Sequence, residues 1–236
     1  MKHHHTEEEG EHWLSVSDMM SGLMVIFLFI AITYMMQVSK MSKGIIDIVA
    51  IDEITKAAIY EGLQTEFKDD LKKWNAEIDK PSLAFRFQEP DVLFNIGDAD
   101  VKDKFKVILD DFFPRYIKIL KQYRVDSDGH AGIEEIRIEG HTSSEWSKDM
   151  ASGEKAYFLN MELSQNRTRA TLEYCFMLPN ITDERIWIKQ ILTANGLSSS
   201  KPILINNEED KVHSRRVEFK VKTNLETRIS KYRQGK

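Results

Sequence analysis

The longest hydrophobic run of the chain lies near its amino terminus. Met19 to Val38 contains no charged residue and is rich in Met, Leu, Ile, Phe and Val. About 20 helical residues are enough to cross the roughly 30 Å hydrocarbon core of a bilayer. The pattern predicts one transmembrane helix at 17–39, after a short segment at 1–16. The alternative, a buried helix of a soluble protein, needs a large core around it, whereas the rest of the chain is amphipathic.

One carboxylate, Asp18, stands at the entrance of this apolar run, and the next charged residue is Lys40. An ionised carboxylate near hydrocarbon is costly, so such a group favours uptake and release of a proton or another cation. The alternative is a helix cap, with Ser15 or Ser17 as the N-cap and Asp18 in the first turn. The residues alone leave both interpretations open.

Beyond the run, apolar residues recur at helical spacing among acids and lysines, and we expect a helical connector at 40–80. Lys80-Pro81 is expected to end the helix, because the residue before proline is biased away from helical angles. The apolar stripe can pack on a second copy of the chain or on its own domain, and the spacing does not separate the two. Its members are Ile45, Ile48, Ile51, Ile54, Ala58, Leu63, Phe67, Leu71 and Trp74.

The remaining sequence alternates strand-like and helix-like patterns, which predicts an α/β sandwich with helices on one face of a sheet. The overall expectation is an α+β fold, with this domain at 81–223 and a polar, frayed tail at 224–236. Strands are expected at 83–88, 133–142 and 216–222, and helices at 102–123, 160–177 and 182–194.

Composition narrows the classes of function. The 236 residues carry a net charge of -5, with 42% hydrophobic and 30% charged residues, and no basic face is evident for nucleic acid. The single cysteine, Cys175, excludes an intramolecular disulfide and a cysteine-rich metal site. No nucleophile elbow, phosphate loop or zinc-protease spacing is present, so neither an enzyme nor a bound metal or cofactor is expected.

Four segments occur in an order that resembles the OmpA-like peptidoglycan-binding domain, over about Leu83 to Lys222. They are DVLFNIGDADVKDKFKVILDDF, IRIEGHTS, NMELSQNRTRATLEYC and SRRVEFKV. With one amino-terminal helix and an acid at its entrance, the chain resembles the MotB-type stator subunits of ion-driven motors. Within that group, SVSDMMSGLMVIFLFIAITYM looks most like the ZorB family of Zorya anti-phage defence systems.

The resemblance implies an inner-membrane protein with a cytoplasmic amino terminus and a periplasmic carboxy-terminal domain. The local charges oppose this orientation, since Lys40 and Lys43 follow the helix, although a large following domain weakens that rule. Asp18 is then expected to carry H⁺ or Na⁺. The implied partners are peptidoglycan, a second copy of the chain and a pentamer of the larger MotA-like or ZorA-like subunit. A passive wall tether and a flagellar-type MotB stator are the alternatives.

The resemblance also suggests the wall-binding residues. Asn160, Leu163 and Arg167 match the pattern N-x-x-L-S-x-x-R, whose spacing places them on one helix face. The planar fork of Arg167 suits a carboxylate of a peptide stem, for which the family implies diaminopimelate. Leu163 is equally well explained as a core residue.

Two further binding candidates, Thr142 and Ser143, come directly after Gly140 and His141, at the end of the strand expected at 133–142. The family's usual aspartate after Gly-His-Thr is Ser143 here, so the acid that meets the ligand's ammonium is missing. Glu145 is the candidate replacement, and His141 is expected to be structural.

Overall fold

The computed structural model describes residues 5–88, 93–125, 130–146 and 153–235, with side chains from residue 16 onward. The helices are α1 (His5–Leu71), α2 (Asp103–Leu120), α3 (Gly153–Met177), α4 (Arg185–Ile191), α5 (Lys211–Ser214) and α6 (Leu225–Arg233). The strands are β1 (Ala76–Asp79), β2 (Ala84–Phe87), β3 (Ile133–His141), β4 (Leu192–Gly196), β5 (Leu204–Ile205), β6 (Glu208–Glu209) and β7 (Arg216–Thr223). Short 3₁₀ helices lie at Lys121–Tyr123 and Pro179–Glu184.

The chain forms two compact units. One comprises Met1–Val49 with Ile229–Lys236, and the other comprises Ala50–Arg228. The first contains a helical stretch that is long and apolar enough to cross a membrane, and no part of that stretch is buried. Because α1 begins at His5, Asp18 lies in about its fourth turn, and neither Ser15 nor Ser17 caps the helix.

The end of the chain is helical where the sequence predicts a frayed tail. Tyr232 lies in α6, its hydroxyl donates to the carbonyl of Lys40 at 3.4 Å, and its ring end occupies the space that a Cβ on Gly44 would need. A glycine at position 44 therefore allows this close approach. The sequence pattern of the polar tail contains no sign of this contact.

In the second unit, the carboxy-terminal half of α1 belongs to the domain core. Ile59, Leu63 and Phe67 have no exposed surface, and the Phe67 ring packs edge-on against Phe85 at 5.3 Å. Packing on its own domain is therefore correct for this half of the connector. The helical connector expected at 40–80 is wrong at its end, because α1 stops at Leu71. The chain turns at Asn75, which has a φ of 44, and Ala76–Asp79 pairs with β2 as a strand.

The main sheet has the order β1-β2-β7-β3-β4, in which only the β3–β4 pair is parallel. Alternate residues such as Phe85, Ile138 and Phe219 are buried in the core together with Phe112 of α2. The intervening positions carry charges that align across strands, with Arg86 opposite Glu218 and Glu218 opposite Glu139. The alternation gives the sheet one apolar face and one charged face.

The expected helix at 182–194 ends early. α4 stops at Ile191, and Leu192–Gly196 continues as β4, parallel to β3. A short apolar run fits a buried helix or a buried strand equally well, and here the open edge of β3 provides the hydrogen-bond partner. The expected α+β class is confirmed.

Two glycines allow α3 to lie close to the sheet. A Cβ on Gly140 would come within 2.7 Å of Thr168 Cγ2, and a Cβ on Gly196 would overlap the backbone of Gln165. The space between α3 and the sheet is too tightly packed to hold a side chain at either position. A larger residue there would force α3 away from the sheet. This close packing positions Ser164 and Arg167 beside the end of β3.

Candidate functional site

The first candidate position, Asp18, is on the exposed surface of α1. Nearby hydroxyls are hydrogen-bonded within the helix: Ser21 Oγ donates to the Ser17 carbonyl at 2.8 Å, and Thr33 Oγ1 donates to the Ile30 carbonyl at 2.9 Å. Such local bonds are usual for hydroxyls in apolar helices. Asp18 is the one residue with a formal charge between residues 16 and 39.

In the second unit, Asn160 acts as a clamp on the loop after β3. Its side chain is 3% exposed, and Nδ2 donates to the carbonyls of Ser143 at 3.1 Å and Glu145 at 3.0 Å. The structure thus brings Asn160 and Ser143 together. Through these two hydrogen bonds, the amide nitrogen of Asn160 orients the loop.

Arg167 lies two turns further along α3 and holds a different loop. Nε donates to the Asp98 carbonyl at 2.8 Å, Nη2 donates to the Asn95 carbonyl at 2.9 Å, and the guanidinium lies 4.9 Å from the Phe94 ring centre. Burial lowers the pKa of Arg167 to about 10, with Asp98 opposing that shift. Among the described residues, two of its five N–H groups have an acceptor.

A narrow cavity of about 10 Å³ lies beside Arg167. Its walls include His141 and Gly140 from β3, Ser164 from α3, and Arg215 and Arg216 at the start of β7. The volume is enough for about one water-sized group. Polar and cationic side chains from three elements therefore converge on one small space.

The acid that the family pattern places after Gly-His-Thr is replaced by Ser143. The loop at this position is buried. Ser143 is 3% exposed, and Thr142 is 4% exposed, with its amide donating to the Ser198 carbonyl at 2.9 Å. Glu145, the candidate replacement, forms an ion pair with Lys211. Glu209 of β6 instead accepts from the Ser144 amide at 2.9 Å.

Sequence comparison decides the family. The chain is 47% identical over 226 residues to the Zorya protein ZorB of Escherichia coli strain Crooks, covering 95% of this chain and 93% of that protein. The chain belongs to the ZorB family. No family model matches it.

Solved structures extend the comparison to the fold. A MotB-like protein from Desulfovibrio vulgaris has a TM-score of 0.52 and 21% identity, covering 72% of this chain and 93% of the other. The cell wall anchor of the T6SS from Pseudomonas aeruginosa gives a TM-score of 0.43 and 22% identity, covering 67% and 95%. The match to the protein from Desulfovibrio vulgaris confirms the MotB-like fold expected from the motifs.

This ZorB-family chain has a buried charge cluster behind the cavity. His141 Nε2 lies 3.9 Å from Glu139 Oε2 and 4.0 Å from Glu218 Oε2, and all three residues are buried. Glu218 also accepts from Arg216 Nε at 2.6 Å and from Arg86 Nε at 2.8 Å, while Lys220 lies 3.8 Å from Glu139.

Glu139, His141 and Glu218 are residue types that bind metal ions, but the charges around them do not favour a cation. Two arginines and a lysine already compensate the two carboxylates, so a divalent cation would enter a region whose formal charge is positive. The geometry therefore favours a structural network.

Burial, with Arg216 next in importance, lowers the pKa of His141 to about 3. Burial opposes ionisation of Glu218, but the charges of Arg216 and Arg86 outweigh it and lower the pKa of that carboxyl. Burial raises the pKa of Glu139, with Lys220 opposing the shift. His141 is thus neutral in the folded protein at neutral pH.

We expect His141 to make the domain sensitive to acid. Between about pH 6.5, the ordinary histidine pKa, and pH 3, the unfolded chain binds a proton that the folded chain does not. The free energy of unfolding should therefore fall as pH decreases through this range, by up to about 1.4 kcal/mol per pH unit from this residue. Thermal unfolding of wild type and His141→Gln at pH 7.5 to 4 measures the effect, with His213→Gln as a histidine-removal control. Parallel loss of stability in wild type and His141→Gln would contradict it.

The site differs in membership from the set that the sequence predicts. Asn160, Thr142 and Ser143 meet at the loop after β3, Arg167 lies at the cavity, and Leu163 is half-buried on α3. Sequence reasoning missed Phe94 and Arg215, which line the cavity with Arg167. The paired arginines of the SRRVEFKV segment were a possible signal for Arg215. The ligand roles of the five predicted residues stay predictions.

Proposed function

We propose that this ZorB-family chain is the wall-anchoring, ion-carrying subunit of a membrane motor that acts in anti-phage defence. The observation that carries the proposal is Asp18, an exposed carboxylate well inside α1, followed by a helix that is apolar on every side until Lys40. Leaving a charge beside hydrocarbon costs several kcal/mol unless water, a partner or a bound cation compensates it. A group under that constraint is suited to load and release H⁺ or Na⁺.

The energy of such a transfer is sufficient for mechanical work. One elementary charge that crosses the membrane yields about 2.3 kcal/mol per 100 mV. Neutralising Asp18 changes the free energy of that helix position by a comparable amount, so each ion can be tied to one conformational step. In this proposal the amino terminus is cytoplasmic and residues 81–223 are periplasmic, where Arg167 binds a peptide stem of the wall.

Partners follow from the surface of α1. A single helix cannot enclose an ion path, and its apolar residues remain exposed beyond the span, with Ile46 at 63% and Ile54 at 69%. These residues lie before the half of α1 that is buried in the domain core. We assign this exposed part to contact with a second copy and with a pentamer of the larger MotA-like or ZorA-like subunit.

A passive wall tether is the second candidate, and the wall-binding fold alone is compatible with it. A tether has no need for a carboxylate in its membrane helix. The position of Asp18 therefore favours the ion carrier.

The composition of the purified complex tests the proposal. Co-expression with the adjacent membrane-protein gene, extraction in mild detergent and native mass spectrometry should give two copies of this chain and five of the larger subunit. Ile46→Ser with Ile54→Ser should lower the recovered complex, whereas Lys104→Ser, on α2, is the control. A complex with one copy of this chain, or with no second subunit, would contradict the motor proposal in favour of the tether.

A further inference from the structure

The apolar span of α1 ends at a group of positive charges. Lys40 and Lys43 follow Val38, and both side chains are exposed. The helical rise places them about 3 Å and about 7.5 Å beyond the end of the apolar run, within a headgroup layer that is about 5–8 Å thick. Asp18 stands at the opposite end of the span, about 33 Å from Lys40 along the helix.

The carboxy-terminal helix brings two more cations to the same end of the span. The hydroxyl of Tyr232 in α6 donates to the carbonyl of Lys40 at 3.4 Å, and the end of its ring lies where a Cβ on Gly44 would be. Lys231 and Arg233 flank this tyrosine in the sequence, and both are exposed. The end of the chain also belongs to the same compact unit as the apolar span.

We call Lys40, Lys43, Lys231 and Arg233 the basic cluster. None of its four side chains has a hydrogen bond or an ion pair with a described residue. Residues 39–49 and 229–235 contain these four cations and one acid, Asp47, and therefore carry a net charge of +3. In the proposed orientation, the positive-inside rule disfavours cations at this end of the span. Neither local pairing nor that rule accounts for this concentration of charge.

Positive charge at this position acts on the ion path that we propose. A cation that moves between Asp18 and the far side of the membrane passes the end of the span where the basic cluster lies, and a second copy of the chain doubles the charge there. Rings of acids suit the mouths of cation channels, whereas Lys and Arg side chains raise an electrostatic barrier to cations. The field of clustered charges changes local ion concentrations by about tenfold or more at low salt.

We propose that the basic cluster forms an electrostatic barrier at the mouth of the ion path and lowers the concentration of H⁺ or Na⁺ that is available to Asp18. The inference rests on the proposed ion-carrying function and adds a control of ion entry to it. The barrier acts on the local concentration of the ion and leaves the path itself unchanged. It therefore raises the ion concentration at which flux is half-maximal, without altering the maximal flux.

Ion flux in proteoliposomes that contain the whole complex tests the barrier. Flux is measured against the concentration of H⁺ and then of Na⁺ at low ionic strength, with the ion entering from the side of the basic cluster. A variant with all four cations changed to Gln should reach half-maximal flux at an ion concentration about three- to tenfold lower, with the same maximal flux. An impermeant salt at about 1 M should remove the difference, because it reduces the screening length to about 3 Å.

Variants of each half of the cluster refine the test. Lys40→Gln with Lys43→Gln, and Lys231→Gln with Arg233→Gln, should each give part of the shift, and Lys231→Glu with Arg233→Glu should give a larger shift than the matching Gln pair. Lys104→Gln with Lys118→Gln removes two exposed cations from α2 and should leave the curve unchanged. Native mass spectrometry checks that each complex assembles. If the fourfold variant does not assemble, the two pairs provide the same test separately.

The inference and the proposed function fail in different ways. An unchanged half-saturating concentration in assembled variants would overturn the barrier while ion conduction stands. A shift that persists in about 1 M salt would also overturn it, because screened charges do not act at that distance. If the flux of the wild type does not exceed that of Asp18→Asn, the ion-carrying function itself fails, and the inference fails with it.

Discussion

Replacing Asp18 with Asn should abolish ion flux and phage protection while leaving the complex assembled. Asn is nearly isosteric with Asp, but it neither binds a proton near neutral pH nor neutralises a cation. The helix begins at His5, so the substitution does not touch a helix end, and no loss of helix capping is expected. Flux in proteoliposomes that contain the complex should fall to background, and the plating efficiency of phage should rise to that of cells without the system.

Asp18→Glu is the matched control, because it keeps a titrating carboxylate and displaces it by one methylene. We expect it to retain part of both activities. Ser21→Ala, one turn away, removes only a hydroxyl that is hydrogen-bonded to the Ser17 carbonyl, and it should be nearly silent. Normal flux and protection by Asp18→Asn, at normal expression with its partner, would leave the tether as the better proposal.

Replacing Arg167 should cause the largest loss of wall binding in the second unit. Arg167→Ala removes the guanidinium from the cavity and also two hydrogen bonds to the loop carbonyls of Asn95 and Asp98. Each hydrogen bond from a charged donor contributes about 1.5–3 kcal/mol. We therefore expect affinity for sacculi to fall about 10- to 100-fold, together with a lower melting temperature.

Two variants separate the ligand role of Arg167 from its role in the loop. Arg167→Lys retains a positive charge and a donor for one carbonyl, but it loses the planar fork. Compared with Arg167→Ala, it should therefore restore the melting temperature more fully than the affinity for sacculi. Arg169→Ala, on an exposed position of the same helix, should change neither. An Arg167→Lys variant with full affinity would show that charge, without bidentate geometry, is sufficient. Full affinity in a folded Arg167→Ala variant would refute the assignment.

His141 and Arg167 line the same cavity. The first is expected to affect stability in acid, and the second is expected to affect wall binding. Both depend on α3 lying close to β3 and β4, which Gly140 and Gly196 permit. Asn160 of α3 holds the loop after β3 through two hydrogen bonds.

The sequence by itself determined the elements whose patterns are long and periodic. The uncharged run from Met19 to Val38, the apolar face of α2 and the alternation in β3 and β7 each fix their own type, because the hydrophobic periods of helices and strands differ. The order of the four motifs was enough to indicate the fold, and Asp18 was evident as the one charge in an apolar run.

Only the tertiary structure decided which partners those elements found. The connector's apolar stripe fitted either a second copy or its own domain, and the burial of Ile59, Leu63 and Phe67 shows that its carboxy-terminal half packs on the domain. Leu192–Gly196 became a strand because β3 offered an open edge, a long-range hydrogen-bond demand that a local pattern does not contain. Arg167 and Arg215 are 48 residues apart in the sequence. Their shared cavity exists because the packing of α3 and the pairing of β7 with β3 place both at the same end of the sheet.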